Sequence, residues 1–336
     1  MSDVQTFELG DLALQSGMTL KQARLVYKTY GKLADDKRNV IVYPTSYGAH
    51  HSDIEWLIAK DKILDPEKYF IVIPNMFTNG LSSSPSTTPF PYDFGRFPLV
   101  TAFDNVQAQH RLITEVFGVE RIAMVYGWSM GAQQAFHWGA LFPDMVERIC
   151  AVCGSARTAA HNKIFLEGVK SALTADSAYR DGWFWERPTR GLRAMARVYA
   201  GWAVSQTFYR DELWRQLGFA SVEDFLVAGW EGNFGRRDAN DLLAQMNTWT
   251  HGDISANAQY GGDFDAALGA IGARAIVMPC DTDLYFQVAD NELEVAKMPN
   301  AELRVIRSDW GHRAGNPLAN PVDSDFVRDA VRELLG

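Results

Sequence analysis

Apolar residues along the chain gather into short, β-branched blocks with turn formers on either side. "NVIVYPTS" (39–46), "YFIVIPN" (69–75), "RIAMVYG" (121–127), "RICAVCGS" (148–155), "RAIVMPCD" (274–281) and "AELRVIRSD" (301–309) all have this form. Being apolar at nearly every position, they predict strands covered on both faces. Helix-like segments separate them. One starts near Thr101, whose hydroxyl can cap the first turn, with Asp104 three residues on in the capping-box position. Another follows Ser129 and stops before Pro143, and "DSDFVRDAVRELLG" closes the chain as an amphipathic helix ending at Gly336. Strands alternating with helices predict a mostly parallel α/β sheet. Near the start, "TFELGDLAL" and "QARLVYKTYG" alternate apolar and polar residues, the pattern of an antiparallel hairpin at the sheet edge.

Between about 155 and 260 the pattern changes. Segments such as "RDGWFWERPTRGL" and "RVYAGWAVSQTFYRDELWRQLGF" are rich in Trp, Tyr and Arg and follow a helical period without strand-like runs. This predicts a helical insertion over the C-terminal edge of the sheet. The chain then divides into a core of residues 1–154 and 261–336 and a helical cap of residues 155–260. The polar, proline-rich "NGLSSSPSTTPFPYDFGRFP" reads as a long surface loop unless the cap leans on it.

Composition narrows the function. A formal net charge of −9 argues against nucleic acid as a partner, because duplex binding draws on clustered Lys and Arg. With 47% apolar and 22% charged residues, the chain has the profile of a soluble globular protein. No apolar run is long enough to span a bilayer, and the start, "MSDVQTFELGDLALQSG", lacks the basic and apolar regions of a signal peptide. A cytoplasmic protein without membrane contact is expected. Cys150, Cys153 and Cys280 provide no disulfide framework. Cys150 and Cys153 have redox-motif spacing, but residues three apart on a strand face opposite ways, so they read as buried core.

The chemistry centres on "GWSMG", Gly127 to Gly131. The pattern Gly-x-Ser-x-Gly is common by chance, but here a strand precedes it and a helix follows, the context of a strained nucleophile elbow. An ordinary tight turn is the bland alternative. A serine hydroxyl needs a base to take its proton, and in this arrangement an acid and then a histidine follow the serine along the chain. His312 is the only histidine downstream of the strand end at Asp281-Thr282-Asp283. Chain order leaves Asp281 and Asp283 unseparated as the acid, with a loop-ordering role favoured for Asp281. Two N–H donors must face the oxyanion: that of Met130, after the nucleophile, and one from "YPTSYGAHH", where Ser46 or Tyr47 is suitably placed. The remaining histidines show no metal-ligand spacing, and no cofactor or metal is expected.

The motifs "VYKTYGKL", "LDPEKYFIVIPNMF", "FPLVTAFDNVQAQHRLI", "GWSMGAQQAFHWGALFPDMVERI", "GSARTAAHNKIF", "RPTRGLRAMARV", "RRDANDL", "DTDLYF" and "WGH" together resemble the homoserine O-acetyltransferase family of α/β-hydrolase-fold enzymes, across roughly residues 25 to 315. The resemblance implies an α/β-hydrolase core with a helical cap, a triad of Ser129, Asp283 and His312, Ser46 as the first oxyanion donor, and a homodimer. Arg197 matches an arginine associated in that family with the substrate carboxylate.

The chain departs from the acetyltransferases where they hold their amino-acid substrate. Arg313 follows the histidine where they carry Asp, and Val204 stands in place of a Tyr. Arg313 would repel an ammonium that Asp attracts. Trp128 and Ala132 replace glycines at the elbow; Trp128 either narrows the acyl pocket or fills core space. The family also includes a branch that hydrolyses short acetate esters, and the loss of the ammonium site suits it better. The expectation is therefore a serine carboxylesterase whose partner is a small ester, with Trp128, Tyr47 and Arg197 among the substrate contacts. Homoserine O-acetyltransferase, or a related acyl-CoA-dependent O-acyltransferase, is the alternative.

Overall fold

The computed structural model describes residues 4–336. Its first strands, β1 (Gln5–Ala13) and β2 (Thr19–Tyr30), form the antiparallel hairpin that their alternation predicts. Next come β3 (Val40–Val42), β4 (Phe70–Pro74), β5 (Met124–Trp128) and β6 (Arg148–Val152). After a long helical stretch holding a two-residue hairpin, β7 (Tyr179–Arg180) and β8 (Trp183–Phe184), the chain returns as β9 (Arg274–Met278) and β10 (Ala301–Leu303). The main sheet has eight strands in the order β1-β2-β4-β3-β5-β6-β9-β10, with β1 at one edge. β3, β4, β5, β6, β9 and β10 run parallel, and β2 joins β4 antiparallel.

The continuous apolar blocks are explained by two cores, one on each face. Ile41, Ile71, Tyr126, Val152 and Ile276 pack into one, and their neighbours Val42, Val72, Val125, Ala151 and Val277 into the other. Burying each Val or Ile contributes roughly 1.5–3 kcal/mol, so the register of the central strands is strongly fixed. The first core continues into Phe165, Tyr199, Phe208, Trp230 and Trp249 of the helical stretch, which therefore shares the sheet's own core.

The helix Ala102–Arg111 opens with the expected capping box, and Met130–Leu141 and Pro321–Leu335 form the helices expected after the elbow and at the C-terminus. Two expectations need correction. The block 301–309 is strand only over Ala301–Leu303, followed by an isolated bridge of Ile306 to Cys280, because the chain bends there into the loop that carries His312. The insertion also contains the β7–β8 hairpin, which no periodicity revealed. The proline-rich loop is braced by the helix Ala239–Thr250: Asp241 accepts from the Ser86 N–H (2.9 Å) and hydroxyl (2.6 Å), and the Thr248 hydroxyl donates to the Val100 carbonyl (2.6 Å).

Candidate active site

Parallel strands with right-handed crossovers bring their C-terminal ends to one edge, and the chemistry gathers there. Ser129 follows β5, Ser46 follows β3, Asp283 follows β9 and His312 follows β10. Ser129 has φ 59° and ψ −126°, an uncommon backbone for a residue with a side chain. The turn closes only because its neighbours are small. A Cβ on Gly127 would lie 2.1 Å from the Gly131 carbonyl oxygen, and one on Gly131 would lie 2.8 Å from the Pro44 carbonyl oxygen.

The imidazole of His312 is held by Asp283, with Nδ1 and Oδ2 2.7 Å apart and both side chains buried. Since the carboxylate can only accept, Nδ1 carries the proton and Nε2 is left as the basic nitrogen. The other carboxylate oxygen accepts from the backbone N–H of Tyr285 (2.7 Å), with Phe286 longer at 3.4 Å. The imidazole is packed between rings: Trp128 stacks on it at 5.1 Å and Tyr285 meets it edge-on at 4.8 Å. Trp128 also donates from Nε1 to the His312 carbonyl (3.2 Å), tying the residue before Ser129 to the residue proposed as base. Asp281 is occupied elsewhere, accepting from Ser308 N–H (3.1 Å) and pairing with Arg307 (3.3 Å).

The Met130 N–H, in the first turn of its helix, and the Ser46 N–H have no hydrogen-bond partner among the described residues. They are free to serve an anion, and the helix N-terminus adds its dipole to the Met130 donor. The Ser46 side chain has a separate role that sequence reasoning missed. Its hydroxyl donates to the Trp128 carbonyl and accepts from the Gly131 N–H (3.2 Å), stapling the β3 loop across the elbow.

A cavity of about 450 Å³ opens over this edge. Ser129, His312, Trp128, Tyr47 and Ser46 all line it, joined by Tyr199, Trp230 and Phe234 from the helical stretch and by Trp56, Arg313 and Asn316. Trp128 thus both faces the cavity and packs on His312. Tyr47 is stacked on Tyr199 at 5.7 Å, and burial pushes its phenol well above the usual range, so it stays neutral. Arg197 is the exception. It does not line the cavity: its guanidinium is taken by Glu231 (2.6 Å) and Glu223 (3.1 Å), so the structure does not bring it together with the other expected substrate contacts.

Cys153 lies with Asp283 and His312, their ligand-capable atoms all within 4.8 Å of one another. Burial pushes the Cys153 thiol well up, keeping it protonated, while the acid and imidazole are spent on each other. A metal would need the thiolate, so this chemistry does not suit one.

A mostly parallel sheet with a serine on a tight strand-to-helix turn is the α/β-hydrolase arrangement, and the chain belongs to the family described by that fold, matching it over residues 39–314. Within it, a probable esterase of Corynebacterium glutamicum is 38% identical over 312 residues, covering 92% of this chain and 89% of that protein. An ethyl acetate hydrolase of Pseudomonas veronii is 37% identical over 311 residues, covering 92% and 88%. A homoserine O-acetyltransferase of Chlorobium chlorochromatii is 29% identical over 314 residues, covering 89% and 87%. The crystal structure of an acetylester hydrolase from Corynebacterium glutamicum superposes with a TM-score of 0.95 at 35% identity, covering 99% of this chain and 96% of that one. Similarity to these esterases exceeds similarity to that acetyltransferase, in line with the esterase branch of the resemblance.

Proposed function

We propose that the chain is a serine carboxylesterase that hydrolyses short, acetyl-type esters of simple alcohols through an acyl-serine intermediate. The observation that carries this reading is the Asp283-held imidazole stacked on Trp128, opening with Ser129 onto one largely apolar cavity. The Ser129 oxygen attacks the ester carbonyl while His312 Nε2 takes its proton. The negative charge moves to the carbonyl oxygen, facing the N–H groups of Met130 and Ser46. The C–O bond to the alcohol then breaks, and the imidazolium returns the proton to the departing alkoxide. Water, deprotonated by the same nitrogen, attacks the acyl-serine and releases the acid and Ser129. Asp283 fixes the tautomer and offsets the imidazolium charge in both halves.

In this reading the helices of residues 155–260 act as the cap that supplies the cavity wall, and the protein works as a homodimer in the cytoplasm. Three buried free cysteines suit a reducing compartment. No helix among the described residues is long and apolar enough to cross a membrane.

Acyl transfer to homoserine shares every step to the acyl-enzyme. What speaks against it is the cavity wall, where Arg313 would face the acceptor's ammonium. The test is a direct comparison: incubation with ethyl or p-nitrophenyl acetate, and separately with acetyl-CoA and homoserine. Release of acetate from the esters, lost in Ser129→Ala, supports the reading. O-acetylhomoserine formed faster than acetate is released overturns it.

A further inference from the structure

Arg313 differs from the paired arginines of the helical stretch. Arg236 and Arg237 share Asp53, and Arg193 and Arg197 share Glu231. Arg313 lines the same cavity as Ser129 and His312, yet its guanidinium has no carboxylate, carbonyl or hydroxyl partner among the described residues. Asp53, the carboxylate on that wall, is already occupied by Arg236, Arg237 and the His50 N–H (2.8 Å). Leu217, Phe219, Trp230 and Leu318 line the same cavity and supply no acceptor oxygens from their side chains, and the amide oxygens of Asn316 and Asn233 accept from Trp56 and Arg236. Burial pulls the guanidinium below the usual arginine range, opposed only by Tyr209, a phenol pushed up to about 12 and so uncharged at neutral pH.

Arg313 is half-buried, and a partly desolvated cation without a counter-charge is unfavourable, while its guanidinium presents donors in a planar fork that fits a carboxylate. We infer that the cavity selects short esters carrying a carboxylate, seated on Arg313 while the ester carbonyl lies at Ser129. This rests on the esterase reading above and narrows its substrate class. Neutral esters can enter the same cavity, but they leave Arg313 unpaired.

Two matched pairs test it, and they distinguish where the carboxylate sits. 4-Acetoxybutanoate against its carboxamide places the charge on the alcohol; monoethyl succinate against its carboxamide places it on the acyl group. The readout is the kcat/KM ratio of carboxylate to carboxamide at low salt. In at least one pair the wild-type ratio should reach about tenfold, the size of one charge-assisted contact, and Arg313→Met should lower it more than about threefold. A wild-type ratio below that in both pairs, or a ratio that Arg313→Met leaves within threefold, overturns the inference. Should Arg313→Met not fold, butanoate and butanamide are compared as competitive inhibitors of the intact enzyme. A similar Ki for the two overturns the inference; butanoate tighter by about tenfold supports it. Loss of all ester cleavage would strike the esterase reading itself, whereas cleavage of the carboxamide esters with no gain for the carboxylates strikes only the role given to Arg313.

Discussion

Removing one hydroxyl at Ser46 separates the clamp on the elbow from the oxyanion donor beside it. Ser46→Ala keeps the backbone N–H proposed to face the oxyanion but deletes the oxygen that joins the Trp128 carbonyl to the Gly131 N–H. Both backbone groups are enclosed where the turn is tightest, so water cannot readily replace the hydroxyl. A buried polar group left without a partner costs about 1–3 kcal/mol. The Gly131 bond is long at 3.2 Å, which places the pair in the lower half of the range, about 2–4 kcal/mol together. At roughly 2.1 cal/mol/K per residue, unfolding 336 residues carries about 0.7 kcal/mol/K, so the melting temperature should fall by about 3–6 °C. The nucleophile turn would also lose its brace, and a misplacement near 1 Å costs on the order of a hundredfold in rate. Calorimetry and stopped-flow acylation by p-nitrophenyl acetate measure the two effects on one sample. Acylation should slow by about ten- to a hundredfold, with the larger share in kcat. A variant that melts within a degree of wild type and acylates at the same rate would refute the clamp, and with it the argument that the elbow geometry depends on the β3 loop.

Two further outcomes follow from groups around the same edge. Asp283→Asn should keep the fold, because the amide oxygen can still accept from Tyr285, but lower kcat by about 10³–10⁴ through the wrong imidazole tautomer; a loss under tenfold would remove Asp283 from the relay. Glu294 is buried between the Ala156 N–H and Asn291, and burial raises its carboxyl from the ordinary 4.5 to about 8. Between those values the folded chain holds a proton that the unfolded chain has released, so this group makes stability fall as pH rises through the window and level off above it. Glu294→Gln, neutral throughout, should flatten that slope in melts taken from pH 5 to 9. Equal slopes would show that Glu294 ionises normally in the fold.

The parts of the fold legible in the sequence are those where one physical constraint dominates. Strands buried on both faces must be apolar throughout, so the blocks around Ile41, Ile71, Val125 and Ile149 stand out. The elbow is legible because backbone crowding at Gly127 and Gly131 excludes side chains. His312 stands out as the candidate base because no other histidine lies downstream of the acids. Chain order does not separate Asp283 from Asp281, which only the family resemblance does, since both lie on one turn and their roles depend on which carboxylate meets the Tyr285 N–H and which meets Ser308.

The cavity wall was least legible, and for a reason that bears on substrate choice. Helical periodicity identifies a buried face but not what that face meets. Tyr199 and Phe165 lie on such faces in the same aromatic cluster, yet only Tyr199 reaches the cavity. The same limit misplaced Arg197. Its motif matches a substrate contact, but Glu223 and Glu231, 26 and 34 residues further along, fold back to claim it. Arg313 is the converse case, a departure from the motif that no carboxylate among the described residues neutralises. The proposed relay is specified by local geometry at the elbow and the two strand ends beside it. The charge proposed to choose the ester depends on which distant carboxylates fold within reach, and among the described residues they reach Arg197, Arg236 and Arg237 but not Arg313.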